Sequence, residues 1–217
     1  MPTKLIVCLS SLLFQNLVLW ETMAIKTFVN ANEMTEPEAQ ATQALFDACT
    51  SPRGVDSVED VQVAIAKGAQ LHVADDRSGQ TPFMAAVLRG KYNIVQYLLD
   101  NETGKFDVYQ GEKMGYIPVD GAAFQGRADV MKLLLERTNM DATYTHEDGH
   151  TPFHRSCWGK ESRHSEVTRF LLEYYDAKMD LDLVNLKSGN GLTCRQMTEN
   201  EETLKVLDEW SQRKTEL

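Results

Sequence analysis

Three stretches of this chain repeat one another, and that repetition restricts the fold more than any other feature. Ser78-Gly79-Gln80-Thr81-Pro82-Phe83 runs on to Ile94-Val95-Gln96-Tyr97-Leu98-Leu99. Met114-Gly115-Tyr116-Ile117-Pro118-Val119 runs on to Val130-Met131-Lys132-Leu133-Leu134-Leu135. Asp148-Gly149-His150-Thr151-Pro152-Phe153 runs on to Val167-Thr168-Arg169-Phe170-Leu171-Leu172. Pro82 to Pro118 is 36 residues, and Pro118 to Pro152 is 34. A turn, a short helix and a second helix recurring near that period predict a stacked helical solenoid. A solenoid presents an extended surface, so its expected work is holding another protein.

Each unit has the same internal order. An Asp- or Glu-containing turn reaches Gly79, Gly115 or Gly149, where positive φ is cheap. A Thr-Pro or Ile-Pro pair then opens a short helix, because proline lacks the N–H that a first helical turn cannot pair. Small residues follow: Ala85 and Ala86, then Gly121 to Ala123, then Ser156 and Cys157. They let neighbouring helices stack closely. Gly90, Gly126 and Gly159 are expected to mark the turn into a second helix, whose leucine pair packs between units.

Flanking segments complete the stack. From about Glu38 to Thr50, apolar residues at Ala41, Ala44, Leu45 and Ala48 keep helical spacing. Pro52 and Gly54 break it, Ser57 reads as an N-cap with Asp60 three residues on, and Gly68 reads as a helix stop. Near the other end, Gly191-Leu192-Thr193-Cys194 opens a degenerate unit, 42 residues from Pro152 to Cys194. Its second helix, Glu201 to Trp210, puts Leu204, Leu207 and Trp210 on one face. An insertion falls around Lys160–His164.

The pattern resembles the ankyrin repeat, Gly-x-Thr-Pro-Leu-His-x-Ala-Ala, then Gly, then Val-Val-x-x-Leu-Leu. Met84 and Asp120 replace the usual histidine, which His154 keeps, and Phe83, Val119 and Phe153 replace the leucine. The resemblance implies an all-α ankyrin-repeat solenoid of helix-turn-helix units joined by β-hairpin-like turns. It spans residues 40–212 in about five units, the first and last being divergent caps. Residues 25–39 read as a linker and 213–217 as a tail. The resemblance also implies a structural hydrogen-bonding role for His154.

The two ends point to a compartment. Residues 5–20 are largely apolar, Lys4 precedes them, and Thr22-Met23-Ala24 supplies small residues, so residues 1–24 read as a secretory signal peptide. Gln15 and Asn16 interrupt the run, and a stable membrane span needs about 20 apolar residues. Lys214-Thr215-Glu216-Leu217 is similar to the Lys-Asp-Glu-Leu retention signal of the endoplasmic reticulum. Asn101-Glu102-Thr103 is a glycosylation sequon. These features favour the endoplasmic reticulum lumen, the alternative being a cytoplasmic protein translated from Met23.

Chemistry is sparse. A net charge of −10, from 32 acids against 22 bases, opposes nucleic-acid binding. Arg155, Lys160, Arg163, His164 and Arg169 cluster, but Glu161 and Glu166 interleave with them, so a solvated helix face is expected. Cys8, Cys49, Cys157 and Cys194 form no Cys-x-x-Cys pair, and they read as buried thiols rather than a disulfide framework. His146-Glu147-Asp148-Gly149-His150 spells His-Glu-x-x-His, and a zinc hydrolase using His146, Glu147 and His150 is the alternative reading. That motif needs a helix, whereas here Gly149 interrupts it and the helix opens only at Thr151-Pro152. No catalytic residue, metal or cofactor is assigned.

The expected function is therefore a non-catalytic scaffold or adaptor, acting as a monomer and binding a protein or extended peptide. Leu88, Phe124 and Trp158 each lie six residues after the helix-opening proline position and should form one row across successive units. Arg89 and Gln125 run beside them, and Gln80, Tyr116 and His150 occupy equivalent turn tips. Large aromatics and arginine at solvent-facing positions resemble binding hot spots.

Overall fold

The computed structural model describes residues 33–52, 54–179 and 182–215. Ten α-helices occur among the described residues: α1 (Glu36–Thr50), α2 (Val58–Ala66), α3 (Pro82–Arg89), α4 (Tyr92–Asn101), α5 (Pro118–Phe124), α6 (Ala128–Arg137), α7 (Pro152–Ser156), α8 (Ser162–Met179), α9 (Cys194–Met197) and α10 (Glu201–Thr215). They form five antiparallel pairs. The first members α1, α3, α5, α7 and α9 stack into one layer, and α2, α4, α6, α8 and α10 into a second. No strand forms among the described residues; Lys187 and Thr193 form an isolated bridge. The chain is thus an all-α solenoid, as its periodicity predicts.

The turns between units are tight hairpins held by recurring backbone bonds. Glu112 N–H donates to Tyr116 O (3.1 Å), His146 to His150 O (3.0 Å) and Ser188 to Leu192 O (2.9 Å). The first turn is one residue longer, with Asp75 N–H donating to Gln80 O at 2.9 Å. Each reverses at a glycine of positive φ, including Gly149 at +80°. At Gly149 a side chain would also collide, because a Cβ there would lie 2.7 Å from the Gly189 backbone.

Apolar residues after each proline fill the seam. Phe83, Val119 and Phe153 are buried, as are Leu98, Leu134 and Leu171 on the outer helices. The outermost helix α10 buries Val206, Leu207 and Trp210 while Glu201, Lys205 and Asp208 stay exposed. That split suits a terminal repeat with one neighbour.

Each unit also bonds carbonyls at or just past the end of the inner helix of the unit before it. The last carbonyls of a helix have no partner within it. Lys91 Nζ donates to Pro52 O (2.9 Å) and to Val55 O. Arg127 Nε donates to Leu88 O at 3.0 Å. His164 Nε2 meets Phe124 O at 3.1 Å, and Asn200 Nδ2 reaches Gly159 O at 3.0 Å. Four different side chains thus form one ladder along the stack.

Several sequence-level expectations change. The first helix begins at Glu36, inside the expected linker, because Glu38 accepts the Thr35 N–H (2.8 Å) and Pro37 fits the first turn. Gly159 does not reverse the chain with positive φ as Gly90 and Gly126 do; it lies against the His164 ring, leaving no room for a Cβ. The basic cluster is a solvated face only in part: Lys160 and Arg169 form surface ion pairs with Glu199 and Glu209, whereas Arg155 and His164 are buried. Cys157 and Cys194 are not separate thiols. They form a disulfide between the fourth and fifth units, with Cα atoms 5.6 Å apart. Cys49 is a free buried thiol, and burial pushes its pKa up to about 12. Residues 1–24, Cys8, Glu216 and Leu217 lie outside the described residues.

Candidate functional site

Leu88, Phe124 and Trp158 do meet. Each lies six residues after the proline that opens its inner helix, Trp158 just past the end of α7, so stacking lines them up. Together with Met84, Tyr116, Asp120, Gly121 and Arg155 they line a cavity of about 200 Å³. Phe124 is 50% exposed, a large value for a phenylalanine, while Leu88 and Trp158 are half-buried. Gly121 lets two of the lining side chains approach closely: a Cβ there would come within 2.9 Å of Leu88 Cδ2 and Met84 Cε.

One wall of the cavity rests on a buried charge network. Arg155 Nε donates to Asp120 Oδ1 at 2.9 Å, and its Nη2 donates to both oxygens of Asp148 at 3.0 Å. Asp120 Oδ2 accepts the Ile117 N–H (3.1 Å) and the Tyr144 hydroxyl. The Arg155 guanidinium lies 4.2 Å from the centre of the Tyr116 ring and 5.6 Å from that of Trp158. Aromatic faces attract a cation, so stacking and ion pairing act together. Tyr116 OH donates to Asp148 Oδ2 at 3.3 Å.

The protonation behaviour follows from these contacts. Burial pushes the Asp120 carboxyl above its ordinary value, opposed by the Tyr144 hydroxyl and Arg155. Burial pulls Arg155 the other way, but Asp120 and Asp148 hold its pKa above the usual value. Asp148 is less enclosed: partial burial would raise it, but the His150 N–H and Arg155 bring it down to about 2. The cluster sets two carboxyl groups against one guanidinium. Every member is bonded to another, and none is poised as a free nucleophile or base.

The remaining expected contact residues divide. Tyr116 lines the cavity. Arg89 is exposed and Gln125 half-buried, both outside its lining. Gln80 is half-buried, with its carbonyl closing the first turn. His150 is no exposed tip: it is buried, with its ring 4.7 Å from that of Trp158. The segment His146–His150 is a turn closed by the Gly149 N–H on His146 O, so its histidines do not share a helical face. No cluster of His, Cys, Asp or Glu among the described residues could hold a metal ion. His154 bonds the turn as the resemblance implied: Nδ1 lies 2.8 Å from Thr151 Oγ1, and Nε2 meets Leu186 O at 3.2 Å. Asn101 is exposed at the end of α4.

Asp120, Arg155 and Gly121 were missed as a unit. Their signal was nonetheless present. Asp120 and Arg155 are 35 residues apart, one repeat period, and each interrupts a position where the other units carry an uncharged residue.

These features define a stacked helical-repeat protein whose chemistry lies on a surface groove. The family model for ankyrin repeats matches three copies over residues 45–145. It is similar to a probable serine/threonine-protein kinase of Dictyostelium discoideum, 31% identical over 91 residues, 41% of this chain and 11% of that protein. It is also similar to alpha-latrocrustotoxin-Lt1a of Latrodectus tredecimguttatus, 27% identical over 126 residues, 58% of this chain and 8% of that protein. The match thus spans about a tenth of either relative's length. Ankyrin repeats are in general protein-protein interaction modules. No described helix is long and apolar enough to cross a membrane.

Proposed function

We propose that this chain is a non-catalytic protein-binding scaffold of the secretory lumen, engaging its partner through the groove of the inner helices. The observation that carries the binding role is the row Leu88, Phe124 and Trp158, which leaves a half-exposed phenylalanine beside an open apolar cavity. Large side chains of this kind, surrounded by polar turn tips, supply most of the energy in protein interfaces. Binding is favoured over catalysis because the nearby titratable groups are bonded to one another.

A different feature supports the lumenal reading. Cys157 and Cys194 are fully buried and bonded to each other. Such bonds persist in oxidising compartments and are rare in the cytosol. The apolar residues 5–20 and the exposed Asn101 of the Asn-Glu-Thr sequon support the same reading.

Proximity labelling from the full-length chain tests both parts. Lumenal proteins should be labelled, and Phe124→Ala should remove a subset of them while the chain stays folded. Labelling of cytosolic proteins alone, with reduced cysteines and no glycan on Asn101, would overturn the compartment. A labelled set indifferent to Phe124 would overturn the groove.

A further inference from the structure

Resting on that reading, we propose that the cavity over Gly121 accepts one large apolar side chain from a protein segment whose neighbouring residues are basic. Four features of the site select this partner. The walls are Met84, Leu88, Tyr116, Phe124 and Trp158, and the cavity of about 200 Å³ has room for one bulky side chain. Its polar neighbours, Asp120 and Arg155, already bond to each other at 2.9 Å. A polar side chain entering here would lose water and gain no partner. The anchor must therefore be apolar.

A cationic anchor is excluded for a second reason. Three aromatic rings would otherwise suit a lysine or arginine. However, the Tyr116 and Trp158 rings already carry the Arg155 guanidinium, at 4.2 and 5.6 Å. A second cation in the same enclosure would face a like charge.

Charge complementarity sets the flanks. Asp76, Glu112, Glu147 and Asp148 crowd the turn tips beside the row, against Arg77 and Lys113. Beneath the tips, the Arg155 guanidinium is paired with Asp120 and Asp148. Arg89 lies exposed at the opposite end of α3, so the negative edge is the turn edge alone. A segment crossing the groove would place its lysines or arginines over the tips while its apolar side chain enters beside Gly121. Such charges govern approach and orientation more than final affinity.

The test pans the full chain against a phage library of short random peptides. Enriched sequences should share one Leu, Ile, Met, Phe or Trp flanked by Lys or Arg. Their binding should weaken at least about tenfold in Gly121→Ala, a loss of about 1.4 kcal/mol. The new methyl meets only the flexible ends of Leu88 and Met84, so the cavity shrinks while the fold survives. Phe124→Ala, at an exposed position, gives an independent check if circular dichroism shows Gly121→Ala to be misfolded. Absence of enrichment, an acidic or cationic anchor, or equal binding to both variants overturns the proposal. If the peptides fail but proximity labelling still depends on Phe124, the scaffold reading stands and only the anchor chemistry is wrong. If both fail, the groove is not a binding surface.

Discussion

Arg155→Met should be the most damaging single change in the groove. The guanidinium and the Asp120 carboxylate are 2% and 1% exposed and 2.9 Å apart, so removing one leaves the other charged and buried. Breaking such a pair costs about 3–5 kcal/mol. The low end applies here, because Asp120 retains the Ile117 N–H and the Tyr144 hydroxyl and burial already favours its protonation. Asp120→Asn should cost less, about 1–2 kcal/mol, since Arg155 keeps both oxygens of Asp148. The double variant leaves no orphaned charge, so its cost should fall short of the sum by at least about 1 kcal/mol. Urea unfolding followed by far-UV circular dichroism measures all three. The penalty of Arg155→Met alone should also shrink in acid, as Asp120 takes up its proton. Additivity within about 0.5 kcal/mol would refute the argument, showing that the two residues do not depend on each other.

Three further outcomes are expected. The Cys157–Cys194 bond spans 37 residues, so reduction, or Cys157→Ala with Cys194→Ala, should cost about 4 kcal/mol on chain-entropy grounds. In urea melts with and without a thiol reductant, the C-terminal unit should then unfold first. Gly149→Ala should lose at least about 1–2 kcal/mol from its positive φ, with the Gly189 clash added, whereas Gly121→Ala should be near neutral or gain up to about 1 kcal/mol from helix propensity; thermal melts separate them. Asp148 has a depressed pKa of about 2, held down by the His150 N–H and Arg155. A depressed carboxyl stabilises above its unfolded pKa and loses that contribution as pH falls. Melting temperature should therefore drop from about pH 5 towards pH 2, with a shallower slope in Asp148→Asn.

The repeating skeleton was legible because it depends on local signals. Glycine-turn, proline-opened helix and leucine pair recur along the chain, and Gly68 and the Ser57 cap behave as their residue types require: Ser57 Oγ accepts the Asp60 N–H at 3.2 Å. The row was legible too, since equal distance from a helix-opening proline means equal height in the stack. What escaped notice depends on contacts one period away. Arg155 and His164 look like a surface cluster when read along their own segment. Their partners, Asp120 and the Phe124 carbonyl, are 35 and 40 residues back. Cys157 finds Cys194 in the same way. The expected linker over residues 25–39 gives way for a simpler reason: Pro37 sits in the first turn of α1, where proline is tolerated.

The fourth unit explains why the disulfide and the cavity occur side by side. Its inner helix departs from the pattern at three aligned positions. Ala85 and Gly121 are matched by Arg155, Val87 and Ala123 by Cys157, and Leu88 and Phe124 by Trp158. A buried arginine at a small-residue position requires a carboxylate on the neighbouring helix, and Asp120 supplies it in place of the usual histidine. The guanidinium then lies flat between Tyr116 and Trp158 instead of filling the space over Gly121. That space stays open, walled by the row. Cys157, which caps the end of the same helix, bonds covalently to Cys194 of the fifth unit. One irregular helix thus does two things: it props the groove open towards the third unit and locks the cap on its other side. A groove built this way should be stiff at its C-terminal end. Reduction of the disulfide should accordingly weaken peptide binding at the cavity, even though neither sulfur touches it.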